Sequence, residues 1–427
     1  MEPTFDQLLT EILTVAVTLG IGACALALLL NRLKSRRADL AIGKPMAAAL
    51  AVRVIGAIAV SLTGAGASLR GGDELSFLLG ANLLAASPFG SEQWVDALTG
   101  ELHVFVIAVQ EVALDSPDIA LRVTEASIAV AGLAMLSTAV FELGGRRAAT
   151  ISAWFLAFEP AGVFFSTLIH REALLFLALG MVSLGAAMMW RHMEFRSLPL
   201  MAVGCALAVA TRPYVGWFLI AAGAATAMHT ALRGALVGSA RGLAAVAALV
   251  LAVAIAAPFV LGDFASQGLN RLQVSQQANA ADDSNLRLEE VDFSSVSGVL
   301  TGLPVRIRDL SVRPYPWELE NTSQRLGLLG TLFALGLLYL LVTELVRNRG
   351  RIMARAGPLV YIGVALLVAY ALAVGNAGTG YRYRTQIIAL GICAVSTLAL
   401  APSRRRESPV KRRAPALQPA SVLQRPD

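Results

Sequence analysis

Five short stretches of this chain hold the residues whose types and spacing can do chemistry. The first is Arg70-Gly71-Gly72-Asp73-Glu74. Its glycines permit close backbone approach, and Asp73 or Glu74 can act as a general base on a hydroxyl. A helix N-cap at Asp73, before the run Leu75 to Ala86, is the structural alternative. The second is His170-Arg171-Glu172. Arg171 can contact a phosphate and Glu172 suits a helix N-terminus; a capping and interfacial pair accounts for both as well. The third is Thr211-Arg212-Pro213-Tyr214. Arg212 follows an apolar run too short to cross a bilayer, so it sits recessed and needs an anionic partner, either a phosphate or a carboxylate such as Glu172. The fourth is Val312-Arg313-Pro314-Tyr315-Pro316-Trp317-Glu318-Leu319-Glu320-Asn321. Tyr315 and Trp317 suit a membrane interface; interface anchoring accounts for these aromatics and less well for Arg313 and Glu318. The fifth runs from Gly375-Asn376 to Tyr381-Arg382-Tyr383-Arg384. If it is extended, Arg382 and Arg384 share one side and can clamp a phosphate; snorkelling interfacial arginines are the alternative.

Other chemistries lack their signatures. No G-x-S-x-G, H-E-x-x-H, Walker A or C-x-x-C motif occurs, and His103, His170, His192 and His229 are scattered. A histidine-built metal site is not expected; a divalent-metal requirement stays open, and no cofactor is indicated. Cys24, Cys205 and Cys393 all lie in apolar runs, which predicts buried thiols and no disulfide.

The elements that must position these residues are membrane helices. Of 427 residues, 56% are hydrophobic and only 15% charged, with a mean hydropathy of +0.66. Soluble domains carry about a quarter charged residues, so a soluble multidomain enzyme and a disordered chain are both excluded. Apolar runs predict eleven spans, at 8–30, 45–63, 126–143, 149–168, 172–189, 198–210, 214–230, 241–261, 326–345, 358–374 and 385–401. Two polar stretches, 64–125 and 262–325, interrupt them. In the first, Trp94, Leu98, Leu102, Phe105 and Val109 can share one face lying along the membrane surface. Arg53 and Glu159 fall near mid-membrane and are expected to pair, locking the second span to the fourth.

Charge sets the orientation. Segments 31–45, 144–148, 190–197, 231–241, 347–355 and 402–427 hold 22 of the 35 Lys/Arg, including all three lysines, against 12 in the alternate segments. The positive-inside rule therefore places the N-terminus outside and the C-terminus in the cytoplasm. The two long stretches are then non-cytoplasmic, and each holds 9 of the 29 acidic residues. The net charge of +6 is topogenic and does not point to nucleic acid. Three regions follow: an N-terminal anchor with a basic cytoplasmic loop (1–44), a transmembrane core (45–401), and a proline-rich basic tail (402–427) expected to be disordered on the anionic inner leaflet. The fold class is an all-α polytopic membrane protein.

Several of these stretches resemble the motifs of a bacterial family of multi-pass membrane proteins encoded with polysaccharide-synthesis genes, similar to the GT-C class of glycosyltransferases. Gly72-Asp73 through Ala85 resembles the family's first outer loop. Pro160 to Glu172, with Phe164-Phe165-Ser166 and then a basic residue plus Glu, resembles its turn between the fourth and fifth spans. Arg212-Pro213 resembles its Arg-Pro break. Arg313-Pro314-Tyr315-Pro316-Trp317-Glu318, the most specific string, and Gly375-Asn376 with Arg382 and Arg384 resemble its last two motifs. The resemblance runs from about residue 45 to 400. Phe77 stands where the family usually has Tyr, Arg171 where Lys is frequent, and Glu159 where an apolar residue is usual.

The resemblance implies GT-C-like architecture and a glycosyltransferase of the bacterial plasma membrane. Such an enzyme takes a polyprenyl-phosphate-linked sugar at the outer face and passes it to a glycan or lipid-linked acceptor, inverting the anomeric carbon. Asp73 and Glu74 are then the catalytic candidates. Arg171, Glu172, Arg212, Arg313, Glu318, Arg382 and Arg384 are the substrate-binding candidates. A polysaccharide polymerase joining lipid-linked repeat units needs the same phosphate clamp. A flippase or transporter needs a polar path through the membrane or inverted repeats, and neither is evident.

Overall fold

The computed structural model describes residues 5–64, 67–236, 273–274, 277, 296–318 and 322–400. Among them the regular structure is helical, with no strand. In chain order the helices are α1 (Phe5–Ser35), α2 (Gly43–Thr63), α3 (Ala67–Ala85), α4 (Glu92–Gly100), α5 (Leu102–Leu114), α6 (Asp118–Phe158) and α7 (Pro160–Phe165). They continue as α8 (Glu172–His192), α9 (Leu198–Thr211), α10 (Pro213–Leu236), α11 (Val296–Val312), α12 (Thr322–Arg347), α13 (Ile352–Ala373) and α14 (Ala377–Leu400). Among the described residues eight are long and apolar enough to cross a bilayer: α1, α2, α6, α8, α10, α12, α13 and α14. The protein is a helical, membrane-type bundle.

The eight long helices and the eleven expected spans differ at three places. Residues 241–261 lie outside the described residues, as do the tail and most of 262–295. Helix α9 has 14 residues and rises about 21 Å, short of a bilayer's hydrocarbon thickness. Helix α6 counts once but holds two arms. Gly145 breaks it at φ 81° and ψ −175°, a backbone geometry that favours glycine. On one side of the break Glu142 pairs with Arg37, and on the other Thr150 Oγ1 donates to the Ala41 carbonyl at 3.2 Å. Farther out, Arg122 pairs with Glu74 beyond the far end of α2, while the Ala157 carbonyl accepts from Arg53 inside α2. The two arms therefore run antiparallel, and the chain reverses at Gly145.

Close helix packing here depends on small residues, because lipid offers helices no hydrophobic drive to associate. A Cβ on Gly132 of α6 would lie 2.3 Å from the Phe176 carbonyl oxygen of α8, and one on Gly180 would lie 2.4 Å from the Gly132 oxygen. Alanines fill much of the remaining core. Helices α3, α4 and α5 form a separate cap whose own core includes Ala81, Leu84, Trp94, Val104 and Ile107. The single apolar face expected along this segment divides. Trp94 packs edge-on against Phe105 at 5.7 Å, whereas Leu98 and Val109 face outward. The five positions lie on two helices, Trp94 and Leu98 on α4 and Leu102, Phe105 and Val109 on α5, so they do not form one continuous face. Cys205 and Cys393 are buried, but Cys24 is exposed on the outward side of α1.

Arg53 and Glu159 are both buried without meeting. Arg53 donates to Ser166 Oγ at 2.8 Å and to the carbonyls of Ala157 (3.0 Å) and Leu156 (3.3 Å). Glu159 instead caps α7, accepting from the backbone N–H groups of Ala161 (3.1 Å) and Gly162. The arginine still locks α2 to the 149–168 segment, through carbonyls that open up where Pro160 ends α6. The double charge swap Arg53→Glu with Glu159→Arg is therefore expected to restore none of the membrane yield lost in the single variants, measured by quantitative immunoblot. Full rescue would mean that the two charges recognise each other directly.

Polar groups gather at the two ends of the bundle. At one end Glu142 joins Arg37 and His192 (2.9 Å), Trp190 donates to the Ala354 carbonyl (3.4 Å), and Arg233 lies over the Trp190 ring. These residues bring four of the six basic segments together, and Glu142 stands two residues before a fifth. The other end holds the site described next.

Candidate functional site

Four parts of the chain distant in sequence meet at this end: α3, the α7–α8 turn, the α9–α10 turn and the start of α14. Each is shaped by local chemistry. Arg212 has extended backbone angles (φ −153°, ψ 91°), as a residue before proline prefers, and Pro213 then opens α10. Gly216 lets α10 press on α9, since a Cβ there would lie 2.5 Å from the Val209 backbone nitrogen. Arg212 is thereby held at the tip of a tight helical hairpin. The Asn376 side chain accepts from the Thr379 N–H at 2.8 Å and starts α14. Glu172 opens α8, where the helix dipole favours a carboxylate.

The centre is an alternating chain of charges. Glu172 Oε1 faces Arg212 Nη2 at 3.2 Å and Arg382 Nε at 3.2 Å. Arg382 Nη1 reaches on to Asp73 Oδ2 at 2.8 Å. Glu172 is 1% exposed and Arg212 6%, whereas the Asp73 side chain is 52% exposed, so the chain begins in the interior and ends at the surface. The Tyr383 ring lies under the Arg212 guanidinium at 4.1 Å. Arg171 stands beside this chain over the Phe77 ring (4.8 Å), with Thr211 O at 3.5 Å, and has no carboxylate partner among the described residues. Three arginines thus stand beside two carboxylates in contact with them, and Glu101 acts on Arg171 only from a longer range.

Burial raises the Asp73 carboxyl, but the charge and hydrogen bond of Arg382 outweigh it and hold the group below its ordinary value of 3.8. A lowered carboxyl adds stability that is present above the ordinary value and is lost as pH falls through the lowered one. His170, fully buried in the turn, is pushed down to about 3, first by burial and then by Arg382. It is neutral at pH 7, and neither ring nitrogen has a hydrogen-bond partner among the described residues.

The sequence candidates separate into two groups. Asp73, Arg171, Glu172, Arg212 and Arg382 come together. Glu74 does not join them: it turns inward and pairs with Arg122. Helix α3 starts at Ala67, so Asp73 lies within the helix and is not its N-cap. The segment 377–384 is helical rather than extended, which puts residues two apart on opposite faces. Arg384 accordingly leaves the clamp and donates to the carbonyls of Ser311 (2.9 Å) and Arg313 (3.1 Å) and to Thr331 Oγ1 (2.9 Å). Arg313 pairs with Glu318 at 3.0 Å, and Glu318 also accepts from the Tyr315 N–H at 2.9 Å. The Arg-Pro-Tyr-Pro-Trp-Glu string therefore closes on itself, and Arg384 ties it to α14.

A second buried pair went unread in the sequence: His103 Nε2 of α5 lies 3.0 Å from Glu125 Oε1 of α6. Phe77 stands between the two imidazoles, 4.7 Å from His103 and 6.4 Å from His170. An ionisable residue on an apolar helix was the available signal for Glu125. Among the described residues no group of three or more His, Cys, Asp or Glu is placed to hold a metal ion. No family model matches the chain, and neither a curated protein nor a solved structure matches it.

Proposed function

We propose that this protein is a membrane glycosyltransferase that takes its sugar from a polyprenyl-phosphate carrier at the outer face of a bacterial plasma membrane. The observation that carries the reading is the arginine excess: among the described residues Arg171, Arg212 and Arg382 have between them ion-pair contacts with only Asp73 and Glu172, at the end of an apolar bundle. One phosphate diester supplies the missing negative charge. Its two non-bridging oxygens suit the planar fork of a guanidinium group. The basic segments gather at the opposite end, which supports a cytoplasmic assignment for that end and an outer one for the site. The resemblance to GT-C-like proteins agrees with the same arrangement.

In the reaction, an acceptor hydroxyl oxygen bonds to the anomeric carbon as the bond to the phosphate oxygen breaks. Asp73 takes the hydroxyl proton. The bonding pair leaves with the phosphate, whose growing charge Arg171, Arg212 and Arg382 stabilise. Displacement from the opposite face inverts the anomeric carbon. Asp73 rather than Glu74 is the base, because it is half exposed while Glu74 is bound to Arg122. Arg313, Glu318 and Arg384 shape the wall that carries Arg382 and Tyr383.

Mass spectrometry of lipid-linked saccharides in a strain lacking the gene tests this. The expected result is an intermediate one sugar short, which also names the sugar. A complete repeat unit accumulating on its lipid would make the protein a polymerase. An unchanged lipid pool would overturn both enzyme readings in favour of transport.

A further inference from the structure

We propose that Asp73 is masked by Arg382 in the resting protein and is released as a base when a phosphate group takes its place on the guanidinium. The inference rests on the reading of the arginine cluster as a phosphate site. It goes beyond that reading by coupling donor binding to the basicity of the acceptor's base.

The geometry is asymmetric in the way such an exchange needs. Arg382 makes two ionic contacts, and they are unlike. Its Nε lies 3.2 Å from Glu172 Oε1, a carboxylate 1% exposed. Its Nη1 lies 2.8 Å from Asp73 Oδ2, on a carboxylate 52% exposed. Pairs with a solvated partner are weak, whereas buried ones are hard to break. A competing anion therefore displaces Asp73 and leaves Glu172 in place. The guanidinium stays anchored and turns its freed edge to the phosphate, which can engage it through two parallel hydrogen bonds. Arg171, next to Glu172 in the chain and with no carboxylate in ion-pair contact among the described residues, supplies the second charge.

Asp73 keeps its position after release. The next residue, Glu74, is bound to Arg122, and Phe77 one turn on is packed against His103. What changes is its affinity for a proton. Arg382 is the main influence holding the carboxyl down, with His170 a smaller one where it is charged; burial and Glu172 both push it up. Without Arg382 on it, the same carboxylate is a stronger base. The site thus has no effective base until a donor is seated, and the acceptor hydroxyl is activated only beside a sugar it can attack.

The test is infrared difference spectroscopy on the full chain in nanodiscs, with 13C-labelled aspartate and Asp73→Asn as the subtraction control. The readout is the pH at which the Asp73 carboxyl takes up its proton, with and without saturating dodecyl phosphate. Binding of the probe is followed by calorimetry on the same sample. The expected result is that bound probe raises the protonation pH by about one unit or more, a tenfold easier protonation. In Arg382→Gln the protonation pH starts high and the probe adds nothing; the wild-type comparison stands even if that variant does not fold. Probe that binds without moving the protonation pH overturns the masking and leaves the phosphate site intact. Probe that does not bind overturns the phosphate site, and the masking with it.

Discussion

Asp73→Asn is expected to give a protein that inserts and folds as the wild type does and makes no product. The substitution keeps the side chain's size and removes its capacity to take a proton. General bases contribute roughly 10²- to 10⁴-fold to rate, so product falls by about that factor. Stability changes little, because the Asp73–Arg382 contact has a half-exposed carboxylate and such pairs are worth about 1 kcal/mol or less. Melting in detergent and product analysis on the same preparation separate the two effects. Wild-type product from this variant would remove the base assignment.

Glu172→Gln is expected to do the reverse and strike the fold first. Glu172 Oε1 faces two arginines, Arg212 and Arg382, at 3.2 Å each, in a setting almost closed to solvent. Neutralising it leaves both guanidinium groups buried with no charge beside them except Asp73 at the rim. Breaking a buried pair in this way costs about 3–5 kcal/mol, enough to consume much of a typical protein's margin. Thermal unfolding in detergent reads the loss directly, as a large fall in melting temperature or in the yield of monodisperse protein. A variant as stable as the wild type would mean that Glu172 does not carry the charge balance of this cluster.

Much of the site was legible in the sequence because intramembrane charge is costly and therefore conspicuous. Asp73, Arg171, Glu172, Arg212 and Arg382 each interrupt or border an apolar run, and they lie together at one end of the bundle. Even the partner of Arg212 was visible as one of two options, a ligand or Glu172. What was not legible was direction. Arg382 and Arg384 look alike in sequence, and only the helical start of α14 sends one to Glu172 and the other to Thr331. The same holds for Arg53 and Glu159: their depth was readable, but the acceptors were backbone carbonyls, which carry no sequence signal. His103 and Glu125 were missed because neither stands in a motif, and their contact joins residues 22 apart on consecutive helices.

The acceptors of Arg53 also set a timetable for synthesis. Arg53 leaves the ribosome 103 residues before Leu156 and 113 before Ser166. At about 5–20 residues per second that interval is about 5–20 s. During it, α2 carries a charge that costs about 2.5–3.5 kcal/mol at the centre of a membrane helix. Until the second arm of α6 arrives with its carbonyls, the apolar side chains of α2 alone offset that charge. A stall between residues 53 and 156 would leave that helix without the contacts that hold it.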